Sequence, residues 1–298
     1  MQHIPVLLNE VLKSFAGINK NKWIVDLTLG RGGHFFEILK EKDLVLGLDA
    51  DKDSIKFVEK KLLSSGFTKK DGLYIKNKKK VILVRGNFSK FSLYLKDFAI
   101  LPYQVGGILV DLGISMFHIK KSGRGFSFYK PTEILDMRIN TNKGYKAYEL
   151  LSFLNVKELE SLLRNLGDVK NAKRLAKNIV NYRKRNRIKF VRDLLLALNM
   201  PLEKPTKLRV HPATKVFMAL RIAVNQEHLN LKELLNQMSL YLKQGVIFDV
   251  ITFHSLEEKV ITDFININKY KFDLYTPTLR EILNNKSARS AKLFVIKK

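Results

Sequence analysis

Residues 25–39 read VDLTLGRGGHFFEIL: an apolar run, a turn holding Gly30, Gly32 and Gly33 around Arg31, then an amphipathic restart at His34. Glycine lets backbone approach a ligand closely, and the first turn of a helix offers free N–H groups to it. Asp49 ends the next apolar run, LVLGLD. That is about 20 residues past the turn, where an acidic side chain holds a ribose diol. Together they point to an adenosine-type ligand; the plain alternative is that the glycines only shape a turn. A dinucleotide is disfavoured, because Phe35 stands where G-x-G-x-x-G needs its third glycine. No G-K-[ST] follows either, so a P-loop is excluded. S-adenosylmethionine has no pyrophosphate to cradle and fits best.

Other residues extend the pattern. Phe88 follows a third apolar run, where an aromatic ring can flank adenine, although such a residue serves a core equally well. Asp111 closes the run VGGILVD, and a carboxylate at the mouth of a buried strand is costly unless paired or working. Its structural alternative is a helix N-cap. The stretches SGRGFSF (122–128) and LDMRI (135–139) set Arg124 and Arg138 beside glycine and aromatics, which suits phosphate gripping while a base stacks. His211 precedes Pro212 at the expected start of a helix. His254 and Ser255 follow a fifth apolar run; Ser255 with Glu258 reads as a capping box rather than as part of a triad. The six histidines show no metal-binding spacing, so no metal is expected.

The chain that must position these residues has 298 residues, 46% of them hydrophobic, enough for a sizeable core. It contains no cysteine, which suits a reducing compartment. With no signal-like N-terminus and no apolar run of about 18 residues, it reads as cytoplasmic and without a membrane partner. Lysine and arginine number 54 against 28 acidic residues, a net charge of +26 that draws polyanions, nucleic acid foremost. The clusters KNKKK (76–80) and RKRNRIK (183–189) sharpen that reading, although an AT-rich genome also enriches lysine.

Apolar runs at 23–29, 44–49, 80–86, 105–113 and 245–253 alternate with helical patterns near 33–41, 52–65 and 89–99. This is the signature of an α/β fold with a mostly parallel sheet. From 132 to 210 the rhythm turns helical, at 156–167, 170–185 and 190–200, the last closed by Pro201 and Pro205. A helix over 212–231 then leads back to the sheet. The expected organisation is one α/β domain, 1–131 with 211–298, carrying a helical insert, 132–210.

The ordered motifs HIPVLL (3–8), DLTLGRGGH (26–34), DLGIS (111–115), RGFSF (124–128), LDMR (135–138), HPATK (211–215), FHSLE (253–257) and ARSAKL (288–293) span essentially the whole chain. In them the sequence resembles the bacterial 16S ribosomal RNA cytosine-N4 methyltransferase family, RsmH/MraW. The resemblance implies a class I S-adenosylmethionine-dependent methyltransferase, Rossmann-like, with an inserted helical domain. It implies cofactor contacts at Gly32, Gly33, His34, Asp49, Phe88, Asp111 and His118. The last stands where the family has glutamine, since Ser-Pro-Gln-Leu-Asp is replaced by Met116 to Lys120. Nearer the C-terminus, Asn-Pro-Arg becomes Asn285-Lys286-Ser287, and Arg289 remains. Asp111 is the expected catalytic acceptor or cofactor anchor. RNA contact is expected from Arg183, Lys184, Arg185 and Arg187, with Arg124, Arg138, His254 and Arg289. The partner implied is 16S ribosomal RNA in the small ribosomal subunit, and a homodimer is compatible with the reading. Two rivals are another substrate for the same cofactor, and an RNA-binding assembly factor without catalysis. The Asp/Asn-Pro-Pro-aromatic motif typical of DNA amino-methylation is missing after Asp111.

Overall fold

The computed structural model describes residues 5–202 and 211–298. His3 and Ile4 of the first motif, Pro205 and the expected 210/211 boundary lie outside the described residues. Two compact units result, Met1–Gly113 with His228–Lys298, and Ile114–Glu227.

The first unit is built on a nine-stranded sheet. Its strands are β1 Trp23–Asp26, β2 Leu44–Asp49, β3 Thr68–Lys70, β4 Leu73–Lys76, β5 Lys79–Arg85, β6 Val105–Asp111, β7 Ile247–Thr252, β8 Lys271–Tyr275 and β9 Lys292–Lys297. They are ordered β3-β4-β5-β2-β1-β6-β7-β9-β8. Strands β5, β2, β1, β6 and β7 run parallel, and the rest add antiparallel pairs at the two sides. The chain works outward from β1 through β2 to β5, then returns to β6 on the other side of β1. Such a reversal opens a crevice at the C-terminal ends of the strands, where α/β proteins bind ligands.

The central strands are apolar because both faces are covered. Ile24, Val45 and Leu109 contribute to one core, and Val25, Leu46 and Ile108 to the other. The covering helices include α1 Leu8–Ala16, α2 Gly33–Glu41, α3 Lys52–Ser64 and α4 Phe91–Asp97, joined by later helices that bring Leu234, Met238 and Ile261 to the core.

In the second unit lie α5 Met116–Lys121, α6 Ala147–Phe153, α7 Val156–Gly167, α8 Ala172–Arg183, α9 Val191–Ala197 and α10 Thr214–Asn225. Its core joins Leu159 and Leu163, Ala176 and Ile179, Leu194, and Ala219 and Leu220 from four of these helices. Helix α7 stops where Asp168 turns to φ 47°, and its last residue, Gly167, has no room for a Cβ, which would lie 2.6 Å from the Lys215 carbonyl and 2.9 Å from Ala219. Helix α10 thus packs within the helical unit, whereas the sequence assigns 211 onward to the sheet domain.

The expected helix over 212–231 is also broken. Gln226 adopts φ 52°, and α11 Glu227–Leu242 starts anew. The Asn225 amide stops the first helix: it donates to the Met137 carbonyl and accepts from the Ile139 N–H, each at 2.8 Å. The remaining helices, α12 Ser255–Asn268 and α13 Leu279–Asn284, belong to the sheet unit. Among the described residues, no helix is long and apolar enough to cross a membrane.

Candidate functional site

Three parallel strands end in carboxylates: Asp26 on β1, Asp49 on β2 and Asp111 on β6. Each is held differently. Asp49 ties the glycine turn to the sheet, Oδ2 accepting from Gly30 N at 2.7 Å and Oδ1 from Asp51 N at 2.7 Å. Asp26 is buried and accepts from Thr28 N at 3.1 Å. Burial first, and then the nearby Asp49, push its carboxyl up to about 7 against the opposing Thr28 bond.

Asp111 lies at the reversal point itself. Its N–H donates to Thr28 Oγ1 at 2.7 Å, fixing the end of β6 against the β1 loop. Its side chain is 29% exposed, yet Oδ1 is shut off from solvent and has no hydrogen-bonding partner. Oδ2 lies 3.8 Å from His34 Nδ1. Desolvation, followed by Asp26 and Glu257, raises this carboxyl to about 8. An orphaned oxygen is costly, and on a partly exposed side chain at a strand mouth it makes Asp111 a candidate functional group.

The glycine turn has two jobs. Gly30 and Gly32 take left-handed φ values of 49° and 75°. A Cβ on Gly32 would meet Phe36 at 2.6 Å, and one on Gly33 would meet Pro5 at 2.7 Å. The glycines are therefore also required by packing, the alternative that the sequence left open. His34 Nε2 donates to the Val6 carbonyl at 2.9 Å, which anchors the segment before α1 to α2. Phe88 is half-buried and packs against the sheet core, so its ring is at least partly structural.

His118 belongs to the helical unit rather than the sheet unit. It is buried, with Nδ1 3.0 Å from Ser115 Oγ and its ring beside Phe126 at 5.3 Å. Packing and a local bond account for this ring.

Several expected RNA contacts are engaged internally. Arg138 grips Asp136 with Nε at 2.7 Å and Nη2 at 2.9 Å. Arg124 donates to the Ile139 carbonyl at 3.1 Å. Arg183 caps the end of α6, Nη1 donating to the Leu151 and Leu154 carbonyls at 2.6 and 2.7 Å. Charge-assisted bonds of this kind contribute about 1.5–3 kcal/mol each. Arg183→Ala should therefore lower the unfolding midpoint in urea, costing about 2 kcal/mol or more. Unchanged stability with lost RNA affinity would return Arg183 to the RNA surface. Lys184, Arg185, Arg187 and Arg289 are exposed.

His254 corrects the capping box by one residue. It is itself the N-cap of α12, Nδ1 accepting from Glu257 N at 3.3 Å, while Glu257 Oε2 accepts from Phe253 N at 2.8 Å. Ser255 is the first helical residue. Glu257 and Asp26 are the site groups that sequence reasoning left out. Glu257 is buried and close enough to Asp111 to raise its carboxyl. The signals were present: Asp26 ends a strand, and Glu257 lies within FHSLE. Among the described residues, no cluster of histidines and carboxylates is arranged to hold a metal.

A doubly wound sheet with a glycine turn and strand-end carboxylates at its reversal point defines an α/β protein of the nucleotide-cofactor class. Compared with family models, the chain matches over residues 1–298 and belongs to the MraW methylase family. Similar proteins include Ribosomal RNA small subunit methyltransferase H of Dictyoglomus thermophilum, 37% identical over 98% of this chain and 95% of that protein. The Persephonella marina protein of the same name is 36% identical, covering 100% and 99%. That of Borrelia turicatae is 35% identical, covering 99% and 97%. Among solved structures, an rRNA methylase from Streptococcus thermophilus aligns with a TM-score of 0.46 and 10% identity, too loose a match to carry residues over.

Proposed function

We propose that this methylase transfers the methyl group of S-adenosylmethionine to the exocyclic N4 of a cytosine in 16S ribosomal RNA, within the small ribosomal subunit. The observation that carries the site assignment is the buried, unpartnered Oδ1 of Asp111 at the strand reversal. The relatives' shared name carries the substrate class.

The residues present fit the cofactor. Asp49 retains acceptor capacity for a ribose diol while holding the glycine turn. Gly32 caps α2, Gly33 and His34 begin it directly after the β1 turn, and Phe88 follows β5. When bound, S-adenosylmethionine supplies a methyl already activated on a sulfonium, so the hard chemistry is the cofactor's. The protein's part is alignment, which supplies about 7–11 kcal/mol in well-oriented reactions.

Cytosine N4 is a poor nucleophile, its lone pair delocalised into the ring. The exposed part of the Asp111 carboxylate would accept a hydrogen bond from an N4–H, favouring a pyramidal nitrogen. As N4 gained its bond to the methyl carbon and the carbon–sulfur bond gave way to a neutral thioether, N4 would carry positive charge, which the Asp111 carboxylate would stabilise and then relieve by taking one proton. Burial first, and then Asp26 and Glu257, hold Asp111's affinity for that proton high.

The direct test incubates the purified protein with methyl-labelled S-adenosylmethionine and small subunits from a strain lacking the modification. Label in N4-methylcytidine is the expected result. Label in another nucleoside would move the substrate assignment, and no label together with no cofactor binding in calorimetry would favour the assembly-factor reading.

A further inference from the structure

Helix α8 differs from α6, α7 and α9, although α5 and α10 share its lack of a first-turn acid. Helices α6, α7 and α9 each carry a carboxylate in the first turn, Glu149, Glu158 and Asp193, as the helix dipole favours. Helix α8 has no acid there. Instead Lys173 and Arg174 occupy the first turn, Lys170 precedes it and Lys177 follows. Spacings of three and four residues put them on one face, with Lys184 further along it. Ala172, Leu175, Ala176 and Ile179 form the opposite, buried face. Of the exposed positions between 170 and 177, only Asn171 is not a cation.

These cations repel one another and oppose the helix dipole. Among the described residues, no carboxylate forms a close ion pair with Lys170, Lys173, Arg174 or Lys177; Asp168 is bonded to Lys215 at 2.6 Å and feels Lys170 only at longer range. Lysine enrichment from genome composition explains their number but not a contiguous, uncompensated face. A polyanion relieves both costs and gains the entropy of released counterions.

We propose that this face of α8, from Lys170 to Lys184, is a track for the phosphate backbone of an RNA strand. From Lys173 to Lys184 the helix rises about 17 Å, enough to meet several consecutive nucleotides. The proposal rests on the reading that the substrate is RNA. It differs from the expectation centred on 183–187, because Arg183 is committed to α6 and the uncompensated charge lies toward the start of the helix.

The test uses the full chain with Lys170, Lys173, Arg174 and Lys177 all changed to Gln, and a protein-free 16S RNA fragment containing the target region. Filter binding over 50–200 mM salt gives the slope of log Kd against log salt. Removing four phosphate contacts should reduce that slope by about 3 and weaken binding at least ~10-fold at low salt. Affinity for S-adenosylmethionine should not change. A charge-keeping variant, K170R/K173R/R174K/K177R, should bind like the wild type, which separates charge from folding. If the Gln variant kept the wild-type slope and affinity, the proposal would be overturned. RNA affinity unchanged but association with intact subunits lost would also overturn it, in favour of an acidic protein surface. If wild-type protein binds RNA and the variant does not, the track stands even where no methyl transfer is detected, so its fate is separable from that of the enzymatic reading.

Discussion

Asp111→Asn should reduce methyl transfer by about 10²–10⁴-fold, the range for losing a positioned proton acceptor. Asparagine keeps the size of the side chain and the Asp111 N–H bond to Thr28, so β6 should still end in the same place. What it loses is the negative charge and the ability to take a proton from N4. The pH profile carries a second expectation. Burial and two neighbouring carboxylates raise the wild-type carboxyl to about 8, so it is largely protonated near neutrality in the unliganded protein. In the proposed reaction the working form is the ionised one. Single-turnover rates at saturating cofactor should therefore climb with pH and level near or below 8, since a bound sulfonium cation favours ionisation. The residual rate of the Asn variant should be flat over the same range. A variant with near-normal rates, or one retaining the wild-type profile, would remove Asp111 from the reaction.

The second large effect concerns stability. Asp249 sits in the middle of β7, fully buried, across from Leu109 on one side and Val295 on the other. Ser14 Oγ donates to its Oδ2 at 2.5 Å, while Oδ1 has no partner. Burial, only partly opposed by the Ser14 bond and by Lys297, pushes the carboxyl up to about 8. In the unfolded chain the group ionises near its ordinary value of about 4. Between pH 4 and 8 the folded state thus holds a proton that the unfolded state has released. Linkage makes stability fall as pH rises across that window, by about 1.4 kcal/mol per pH unit for this one group. Asp249→Asn cannot ionise and still offers Ser14 an acceptor. It should be more stable than the wild type by several kcal/mol at pH 8, with the gap closing toward pH 4. Urea midpoints measured at a series of pH values check this; a gap independent of pH would contradict it.

How much of this was legible before the structure depends on which surfaces a segment buries. The apolar runs at 23–29, 44–49, 80–86, 105–113 and 245–253 became β1, β2, β5, β6 and β7, strands flanked on both sides within the sheet. Strand β8 gave no such signal, because all five of its residues are exposed. Strands β3 and β4 hide in a lysine-rich stretch whose hairpin turns on Asp71 and Gly72, both at positive φ. The strand-end carboxylates could be read because a charge after an apolar run stands out. The fates of Arg138 and Arg183 could not. Sequence shows a cation but not whether a carboxylate or a helix-end carbonyl will take it up, and both were found by partners within their own unit. The packing role of Gly32 and Gly33 was equally hidden, since it depends on where Phe36 and Pro5 come to rest.

The sheet order has a consequence for biosynthesis. Among the described residues, β9 follows every other strand, yet it lies between β7 and β8 and is the only strand paired with β8. A ribosome making this protein releases β7 with an open edge, and nothing native can cover it until residues 292–297 have emerged. During that interval the nascent chain presents a long buried-type strand to its surroundings, the situation in which strands pair with the wrong partner. The nascent chain is thus exposed to mispairing from the emergence of β7 until that of β9, and a chain stopped between them would carry two unclosed strands.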